Sequence, residues 1–419
     1  MTWRRGWSKS AFAIAGGGAL FWLVVESAGG FARGDSDATI FSAVMMAHGD
    51  WSCAYPSVLA SSPQSGPIFP MLSALAQWVS RAGFSTSFPP RSQLGTNCQH
   101  AYASYVAWEK TVPAFSAVLG TAIVAWLLLC VACVVVIGSS PRARLGSVWL
   151  MSLLLAITPP VVLAVQENFH PQDLLALAMT LFAVALLLRR RPFVAGLLLA
   201  LGVMSQPYAL LGAVALLVVS PGRDRRGIAA GGSLAIAVVA LMMSIVSGPR
   251  ALSAIFLGTG NTSIHSGTWM AELHFSSELG IVVSRILPLV TAFAIALWSY
   301  RRRRDISRNP VSLLALLAVC WSLRLIFEEN LFGYYCIATG VTLLLVGIVA
   351  RRMSRGLILW LALVLFAFDD VGSRSVPWGN WPVWVWQALI APSAFFIAFQ
   401  TLRRSLAASP LTLARASEA

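Results

Sequence analysis

Charged residues are scarce in this chain of 419 residues, of which only 11% are Asp, Glu, Lys or Arg while 58% are hydrophobic. A soluble domain needs roughly 25% charged residues to cover its water-facing surface. The shortage therefore excludes a soluble enzyme and a soluble nucleic-acid-binding domain. The same composition excludes a small disulfide-rich scaffold. The chain also lacks a glycine-rich phosphate-binding loop of the usual form.

Long apolar runs take the place of the missing charge. We predict an all-α, polytopic membrane helix bundle of roughly 11–12 transmembrane or half-spanning helices, since about 20 apolar residues are enough to cross a bilayer as a helix. The bundle is expected to form a single membrane domain over residues 1–419. The apolar runs fall near 10–29, 114–137, 146–165, 173–188, 227–247, 281–300, 310–327, 336–350, 356–368 and 383–402, with a shorter pair over 192–219.

The net charge of +14 indicates membrane topology rather than a nucleic-acid partner. If the N-terminus is cytoplasmic, most of the 30 basic residues fall in cytoplasmic segments, as the positive-inside rule requires. All five histidines and most of the 16 acidic residues then fall outside. We predict a multi-pass plasma-membrane protein with an uncleaved N-terminal signal anchor and with its chemistry on the extracytoplasmic side.

The stretches outside the predicted spans include a first extracytoplasmic loop over 30–112, a second over 248–280, and a cytoplasmic tail over 403–419. The first loop contains an amphipathic piece from Ile68 to Val79, so we expect short helices on the membrane surface. It also contains Cys53 and Cys98, a candidate disulfide in a compartment where such a bond would persist. Sequence alone leaves open whether their Cα atoms come close enough.

Two carboxylates, Asp35 and Asp37, follow the first predicted span. An ionised carboxylate at the lipid–water boundary suits a general base, although Asp37 is also placed to cap the helix that follows. An Asp-x-Asp pair suggests a metal site as well, but two acids alone bind a hard cation poorly. We therefore predict no metal and no other cofactor, with a divalent metal as the less favoured alternative.

A polar turn, Glu167-Asn168-Phe169-His170-Pro171-Gln172-Asp173, separates two apolar runs. Such side chains are costly in a membrane unless they face water or a site. Turn formation and helix capping account for Pro171 and Asp173. They do not account for Glu167 and His170, which we predict to be functional.

The segment over 192–219 is divided at Ser205-Gln206-Pro207 into two halves, each too short to span a bilayer. A broken backbone at membrane depth is tolerated only where it is buried in protein or lines a polar cavity. Gln206 is therefore a candidate cavity residue. A tilted hairpin is the alternative interpretation.

Arg324 lies inside an apolar run, one helical turn before Glu328. The two residues could form an i,i+4 ion pair that satisfies a buried charge. The guanidinium could also bind a phosphate, which its fork of donors suits, and both interpretations hold if Glu328 orients Arg324. Polar residues near this pair or in the second outer loop that could complete the site are Tyr334, Tyr335, Arg285 and His265.

Several short motifs, in this order, resemble those of the GT-C class of integral-membrane glycosyltransferases. The resemblance is to bacterial, chiefly actinobacterial, polyprenol-phosphate-mannose-dependent α-mannosyltransferases in particular. The chain departs from these relatives at Phe41, where they often have Tyr, and near Gln206, where they often have Lys. The motifs are Gly34-x-x-Asp37-x-x-x-Phe41, Phe169-His170-Pro171-x-Asp173, Ser205-Gln206-Pro207 and Arg324-x-x-Phe327-Glu328-x-Asn330-x-x-Gly333-Tyr334-Tyr335.

The resemblance implies an inverting transfer of mannose from a polyprenyl-phosphate donor to an extracytoplasmic glycan or glycolipid. It places the base in the first outer loop, at Asp37 or at its rival Asp35. In such an enzyme the donor phosphate would be bound by Arg324, Arg285, His170 and His265. The substrate would also meet Glu167, Gln206, Glu328, Tyr334 and Tyr335.

The predicted topology leads to the same kind of donor. Nucleotide sugars are cytoplasmic, so a transferase that faces outward needs a sugar already carried on a lipid in the bilayer. The alternative function is a transporter or flippase of a lipid-linked sugar. That class is expected to place ionisable groups near the middle of the membrane and to use paired broken helices.

Overall fold

The computed structural model describes most of the chain, and every structural statement below concerns these residues. Their secondary structure is helical, with no strand among them, which confirms the prediction of an all-α polytopic bundle. The described residues are 3–27, 35–54, 66–80, 89–95, 97–109, 116–139, 145–166, 170–247, 264, 268–302, 306–328, 333–350, 355, 357–364 and 386–407.

Seventeen helices can be numbered in chain order over these residues. The first eight are α1 Trp3–Ser27, α2 Asp35–Ala47, α3 Ile68–Ser80, α4 Cys98–Glu109, α5 Ser116–Gly138, α6 Leu145–Ile157, α7 Pro159–Gln166 and α8 Pro171–Leu188. The others are α9 Pro192–Ser205, α10 Ala209–Val219, α11 Gly222–Ser247, α12 Trp269–Glu272, α13 Ser277–Arg302, α14 Pro310–Phe327, α15 Cys336–Val349, α16 over 357–364 and α17 Ala391–Ala407.

Five helical segments in the described part of the chain are long and apolar enough to cross a membrane. Three of them, in α5, α8 and α14, are mostly buried within the protein, and those in α8 and α14 are the most buried. The segments in α11 and α13 keep most of their surface exposed, including Ile245 and Val290. Exposed apolar side chains on long helices suit contact with lipid tails. Helices α8 and α14 therefore form the interior of the bundle, where a site can be shielded from lipid.

Proline determines where several helices begin or break. The predicted apolar run over 146–165 is divided in the structure, because α6 ends at Ile157 and α7 begins at Pro159. Proline has no backbone N–H and clashes with the preceding turn, so it is favoured at the first helical position. The same rule applies to Pro171, which opens α8. Helix α13 is an exception, with Pro288 inside it.

The segment over 192–219 is two helices, as its length and its proline predict. Helix α9 ends at Ser205 and α10 begins at Ala209. Between them Gln206 has extended backbone, with φ −152° and ψ 124°. The break is buried, since Ser205 is fully covered and Gln206 is 6% exposed.

The predicted first outer loop contains three helices, α2 to α4. Cys53, just after α2, forms a disulfide with Cys98, at the start of α4. An ion pair of 2.8 Å between Arg91 and Asp50 joins the same two parts of the loop. Helix α2 begins at Asp35, so Asp37 lies within its first turn rather than before it. The predicted tail is helical at its start, because α17 continues to Ala407.

Candidate active site

The first turn of α8 places three polar residues in the interior of the bundle. His170, Gln172 and Asp173 are each no more than 2% exposed. Pro171 occupies the first helical position, where its missing N–H costs no hydrogen bond. The side-chain amide nitrogen of Gln172 lies 2.9 Å from Nδ1 of His170. The amide can only donate, so Nδ1 accepts and the imidazole is held as the tautomer with its proton on Nε2.

The break between α9 and α10 is fastened to this turn on both sides. The Ser205 hydroxyl donates to the backbone carbonyl of Gln172 at 3.2 Å. The Tyr208 hydroxyl donates to the backbone carbonyl of Asp173 at 2.8 Å. These two bonds hold Gln206, which lies between them in sequence, next to the polar end of α8.

The first outer loop reaches the same break through its backbone. The Gly66 N–H donates to the carbonyl of Ser205 at 3.2 Å. A Cβ at Gly66 would lie only 1.6 Å from the carbonyl oxygen of Met204. Only glycine permits such a close approach, and this contact fixes the start of α3 against the end of α9.

Arg324, on the last turn of α14, is held by an ion pair and by two aromatic rings. Its Nε donates to Oε2 of Glu328 at 3.0 Å. Its guanidinium carbon lies 3.8 Å from the ring centre of Tyr335 and 4.7 Å from that of Tyr208. No residue in the described ranges accepts a hydrogen bond from its terminal nitrogens. The side chain is 13% exposed, so these two donors can be reached by a ligand.

Two distant side chains satisfy the backbone carbonyls at the end of α14, which a helix leaves without intrahelical partners. The Gln387 amide donates to the carbonyl of Glu328 at 2.9 Å and more weakly to that of Leu325 at 3.4 Å. The Trp269 indole donates to the carbonyl of Ile326 at 2.7 Å. Gln387 also accepts from the backbone N–H of Trp269 at 3.2 Å. Hydrogen bonds from Gln387 and Trp269 therefore hold the segment that contains Arg324 and Glu328 in place.

Tyr334 and Tyr335 complete the cluster and lie in the short 3₁₀ turn before α15. The Tyr334 ring stacks on His170, with 4.4 Å between ring centres. Burial raises the pKa of the Tyr335 hydroxyl above its ordinary value, and the negative charge of Glu328 raises this pKa further. The phenol therefore keeps its proton across the physiological range and remains a hydrogen-bond donor.

Asp173 is the most unusual group in the cluster. Both carboxylate oxygens are buried, and neither receives a hydrogen bond of normal geometry from any described residue. Arg324 and His170 stabilise the carboxylate electrostatically, and the side chain of Gln206 lies within hydrogen-bonding reach of it. The side-chain oxygens of Gln172 and Gln206 are likewise buried without a donor among the described residues.

The structure brings six of the predicted site residues together and leaves the others apart or outside its description. Arg285 is exposed on α13, and none of the contacts described for the cluster involves it. Glu167 and His265 lie outside the described residues. Asp35 and Asp37 are placed by their backbone in the first turn of α2, and their side chains lie outside the description. The six that come together are His170, Gln206, Arg324, Glu328, Tyr334 and Tyr335.

Four residues of this cluster have roles that the sequence did not predict: Asp173, Tyr208, Trp269 and Gln387. The prediction that Asp173 caps α8 is wrong, because neither of its carboxylate oxygens accepts a hydrogen bond from a described backbone N–H. The signal available for Asp173 was an acidic residue at the edge of an apolar run, which alone favours function in a membrane protein. The other three carry no sequence signal, because their roles depend on contacts between distant parts of the chain.

The described residues contain no group of three His, Cys, Asp or Glu side chains that could hold a metal ion. The expectation about metal dependence stays a prediction.

Comparison with protein families gives the class of chemistry. The sequence profile of glycosyltransferase family 87 matches residues 104–327, which is more than half of the chain. The chain belongs to glycosyltransferase family 87. It is therefore a membrane glycosyltransferase, with a sugar donor, an acceptor and the lipid bilayer as its partners. No match was found among curated proteins.

The family 87 match includes α8, the break between α9 and α10, and α14 up to Phe327. It therefore covers most of the residues that form the cluster. Asp35 and Asp37 precede the matched range in the sequence, and Glu328, Tyr334, Tyr335 and Gln387 follow it.

Proposed function

We propose that this family 87 glycosyltransferase is of the GT-C type and transfers mannose from a polyprenyl-phosphate donor. The acceptor is an extracytoplasmic glycan or glycolipid, and the anomeric carbon is inverted. The observation that supports the proposal is the set of contacts that Arg324 makes within the bundle. A guanidinium at the end of a buried apolar helix binds one carboxylate through Nε, and its two terminal nitrogens remain for an anion.

The chemistry of the guanidinium favours a lipid phosphate as that anion. Its terminal nitrogens match the spacing of two phosphate oxygens. The Tyr208 and Tyr335 rings hold the guanidinium plane, so the donors are oriented before the ligand arrives. A lipid-linked donor reaches such a position from the bilayer, whereas a nucleotide sugar would need a polar route from the cytoplasm.

In the proposed reaction, Asp37 takes the proton of the acceptor hydroxyl, and Asp35 is the rival for this role. The hydroxyl oxygen forms a bond to the anomeric carbon while the bond from that carbon to the phosphate oxygen breaks. The electron pair leaves with polyprenyl phosphate, whose developing charge Arg324 stabilises. The step balances without a metal ion or another cofactor.

The disulfide supports the proposal that the first loop lies on the outer side of the plasma membrane. Cys53 and Cys98 are bonded, and such bonds persist in an oxidising compartment outside the cytoplasm. If that loop faces outward, α2 carries Asp35 and Asp37 on the outer side of the membrane. The topology can be tested in intact cells with a membrane-impermeant maleimide. A single cysteine introduced at Ser52 should be labelled, whereas one introduced at Arg403 should be protected from the reagent.

The decisive assay uses the purified full chain in liposomes with radiolabelled polyprenyl-phosphate-mannose and a short mannoside. We expect label to pass to the mannoside. Asp37→Asn should abolish transfer, whereas Asp224→Asn, in the first turn of α11, should leave it unchanged and serves as the matched control. Full activity of Asp37→Asn together with loss in Asp35→Asn would move the base to Asp35. Absence of transfer by the wild type from this donor would overturn the proposed donor.

A second candidate, a flippase of a lipid-linked sugar, is favoured by one observation. The break at Gln206 is buried inside the bundle, and broken helices are frequent in transporters. The same liposomes distinguish the two functions. Movement of the labelled lipid between leaflets without transfer to the mannoside would favour the flippase.

A further inference from the structure

Asp173 is a buried carboxylate that receives no hydrogen bond of normal geometry from a described residue, although the Gln206 side chain lies close enough to interact with it. It is 2% exposed, and neither of its oxygens has a hydrogen bond of normal geometry within the described part of the chain. Removing an ionised group from water without such partners is costly. A functional site can retain a costly group of this kind when a ligand supplies the missing contacts. The residue therefore marks a place where a ligand is expected.

The chemistry of the ligand follows from which atoms lack partners. In the part of the chain that the structure describes, they are both carboxylate oxygens of Asp173 and the side-chain oxygens of Gln172 and Gln206. All of these atoms are hydrogen-bond acceptors. A phosphate, which brings negative charge and acceptors of its own, does not suit them. The matching ligand is one that donates several hydrogen bonds.

A cation would also suit oxygen ligands, but the neighbouring charge opposes it. Arg324 lies close enough to Asp173 to interact with it electrostatically. A bound metal ion would be repelled by this guanidinium. A neutral ligand with hydroxyl groups meets the acceptors without that penalty.

The acceptors lie beside the proposed phosphate position. Tyr208 donates its hydroxyl hydrogen bond to the backbone of Asp173, and its ring lies 4.7 Å from the guanidinium carbon of Arg324. One tyrosine therefore separates a set of acceptors from a phosphate-binding cation. A glycosyl phosphate has the same two parts next to each other, hydroxyl groups on the sugar and the anion at the anomeric carbon.

We propose that Asp173 and Gln206 accept hydrogen bonds from hydroxyl groups of the donor sugar, with Gln172 as a further acceptor. They form a sugar subsite next to Arg324. This inference rests on the proposed function, since it takes the ligand of Arg324 to be a glycosyl phosphate. It adds the part of the chain that recognises the sugar itself.

The test measures binding to the full chain in nanodiscs of phosphatidylethanolamine and phosphatidylglycerol. The probes are labelled polyprenyl-phosphate-mannose, a set of its monodeoxy analogues, and polyprenyl phosphate without sugar. A hydroxyl that bonds to a carboxylate contributes enough for about a tenfold or larger change in Kd. We expect wild type to lose that factor with at least one deoxy analogue. Asp173→Asn should bind polyprenyl-phosphate-mannose at least about tenfold more weakly than wild type does. It should bind that deoxy analogue and the mannosyl lipid with equal affinity.

The sugar-free lipid separates this subsite from the phosphate site. Its affinity should be the same in wild type and Asp173→Asn. Equal weakening for lipids with and without sugar would overturn the inference, because Asp173 would then act through Arg324. Unchanged discrimination among the deoxy analogues would overturn it as well. Loss of sugar binding in wild type on adding EDTA would assign the carboxylate to a metal ion instead.

Two controls keep these outcomes interpretable. Gln206→Met should also lose sugar discrimination, and Gln400→Met, on α17, should not. The thermal midpoint without ligand should change little in Asp173→Asn, because the amide has the same size and shape as the buried carboxyl group. If wild type binds the mannosyl lipid and these substitutions leave that binding unchanged, the subsite alone is refuted. A wild type that binds neither lipid would refute the proposed function together with it.

Discussion

Arg324 donates from Nε, rather than from its terminal nitrogens, to Oε2 of Glu328 at 3.0 Å. The i,i+4 spacing on α14 places the carboxylate on the side of the guanidinium. The forked end then points away from the ion pair. The two interpretations of Arg324 from the sequence, a satisfied charge and an anion-binding group, are therefore compatible in the structure.

Arg324→Gln should lower the rate of sugar transfer by a factor on the order of 10²–10³, the usual effect of removing one group that stabilises a transition-state charge. Arg324→Lys should recover only part of this loss, since it restores the charge without the planar fork. Steady-state transfer assays in liposomes measure both variants. Arg404→Gln, exposed on α17, is the matched control. A lysine variant with full activity would show that the fork geometry is unimportant.

Gln387→Leu should lower kcat by roughly tenfold with a smaller effect on donor KM. The substitution removes the hydrogen bond that Gln387 donates to the carbonyl of Glu328, and losing one partner of a buried bond costs about 1–3 kcal/mol. Arg324 and Glu328 then lose the contact that fixes the end of α14. The comparison variant is Gln400→Leu, on α17, which should retain both constants. Equal activity of the two variants would remove Gln387 from this positioning role.

Gly66→Ala should destabilise the protein by about 1–3 kcal/mol, as overpacking typically does. The new methyl group would overlap the carbonyl oxygen of Met204 and separate the loop from α9. We expect a lower thermal midpoint and weaker transfer activity. Gly146→Ala provides the control, because nothing lies within 4 Å of a Cβ at that position on α6. A midpoint unchanged by Gly66→Ala would mean that this contact is not tight.

Removing the disulfide should lower stability by about 2–4 kcal/mol, since the bond closes a long loop. Cys53 and Cys98 are separated by 45 residues. A reducing agent should lower the thermal midpoint of wild type towards that of the Cys53→Ser/Cys98→Ser double variant. The same reagent should not affect the double variant, because the described free cysteines are buried. Equal midpoints for oxidised and reduced wild type would contradict the prediction.

The parts of the fold that depend on local chemistry could be predicted from the sequence. The break at Ser205-Gln206-Pro207 follows from the missing N–H of proline and from halves too short to span. The pairing of Arg324 with Glu328 follows from helical spacing. Both features need information from only a few neighbouring residues.

The rest of the cluster depends on packing between distant helices. Gln387 bonds to a carbonyl 59 residues away in sequence, and Tyr208 to one 35 residues away. No local pattern distinguishes Gln387 from a glutamine at a lipid or water boundary. Asp173 was misread for a related reason, since the first turn of a helix is a common place for an acid.

The attachment of the α9–α10 break to α8 has a mechanical consequence. Ser205 and Tyr208 are bonded to successive carbonyls of one helical turn, so the break is not a loose joint. If α10 swung away from α8, the phenol of Tyr208 would lose its acceptor and its ring would leave the guanidinium of Arg324. A displacement of this helix would therefore be transmitted directly to the charge that the reaction needs.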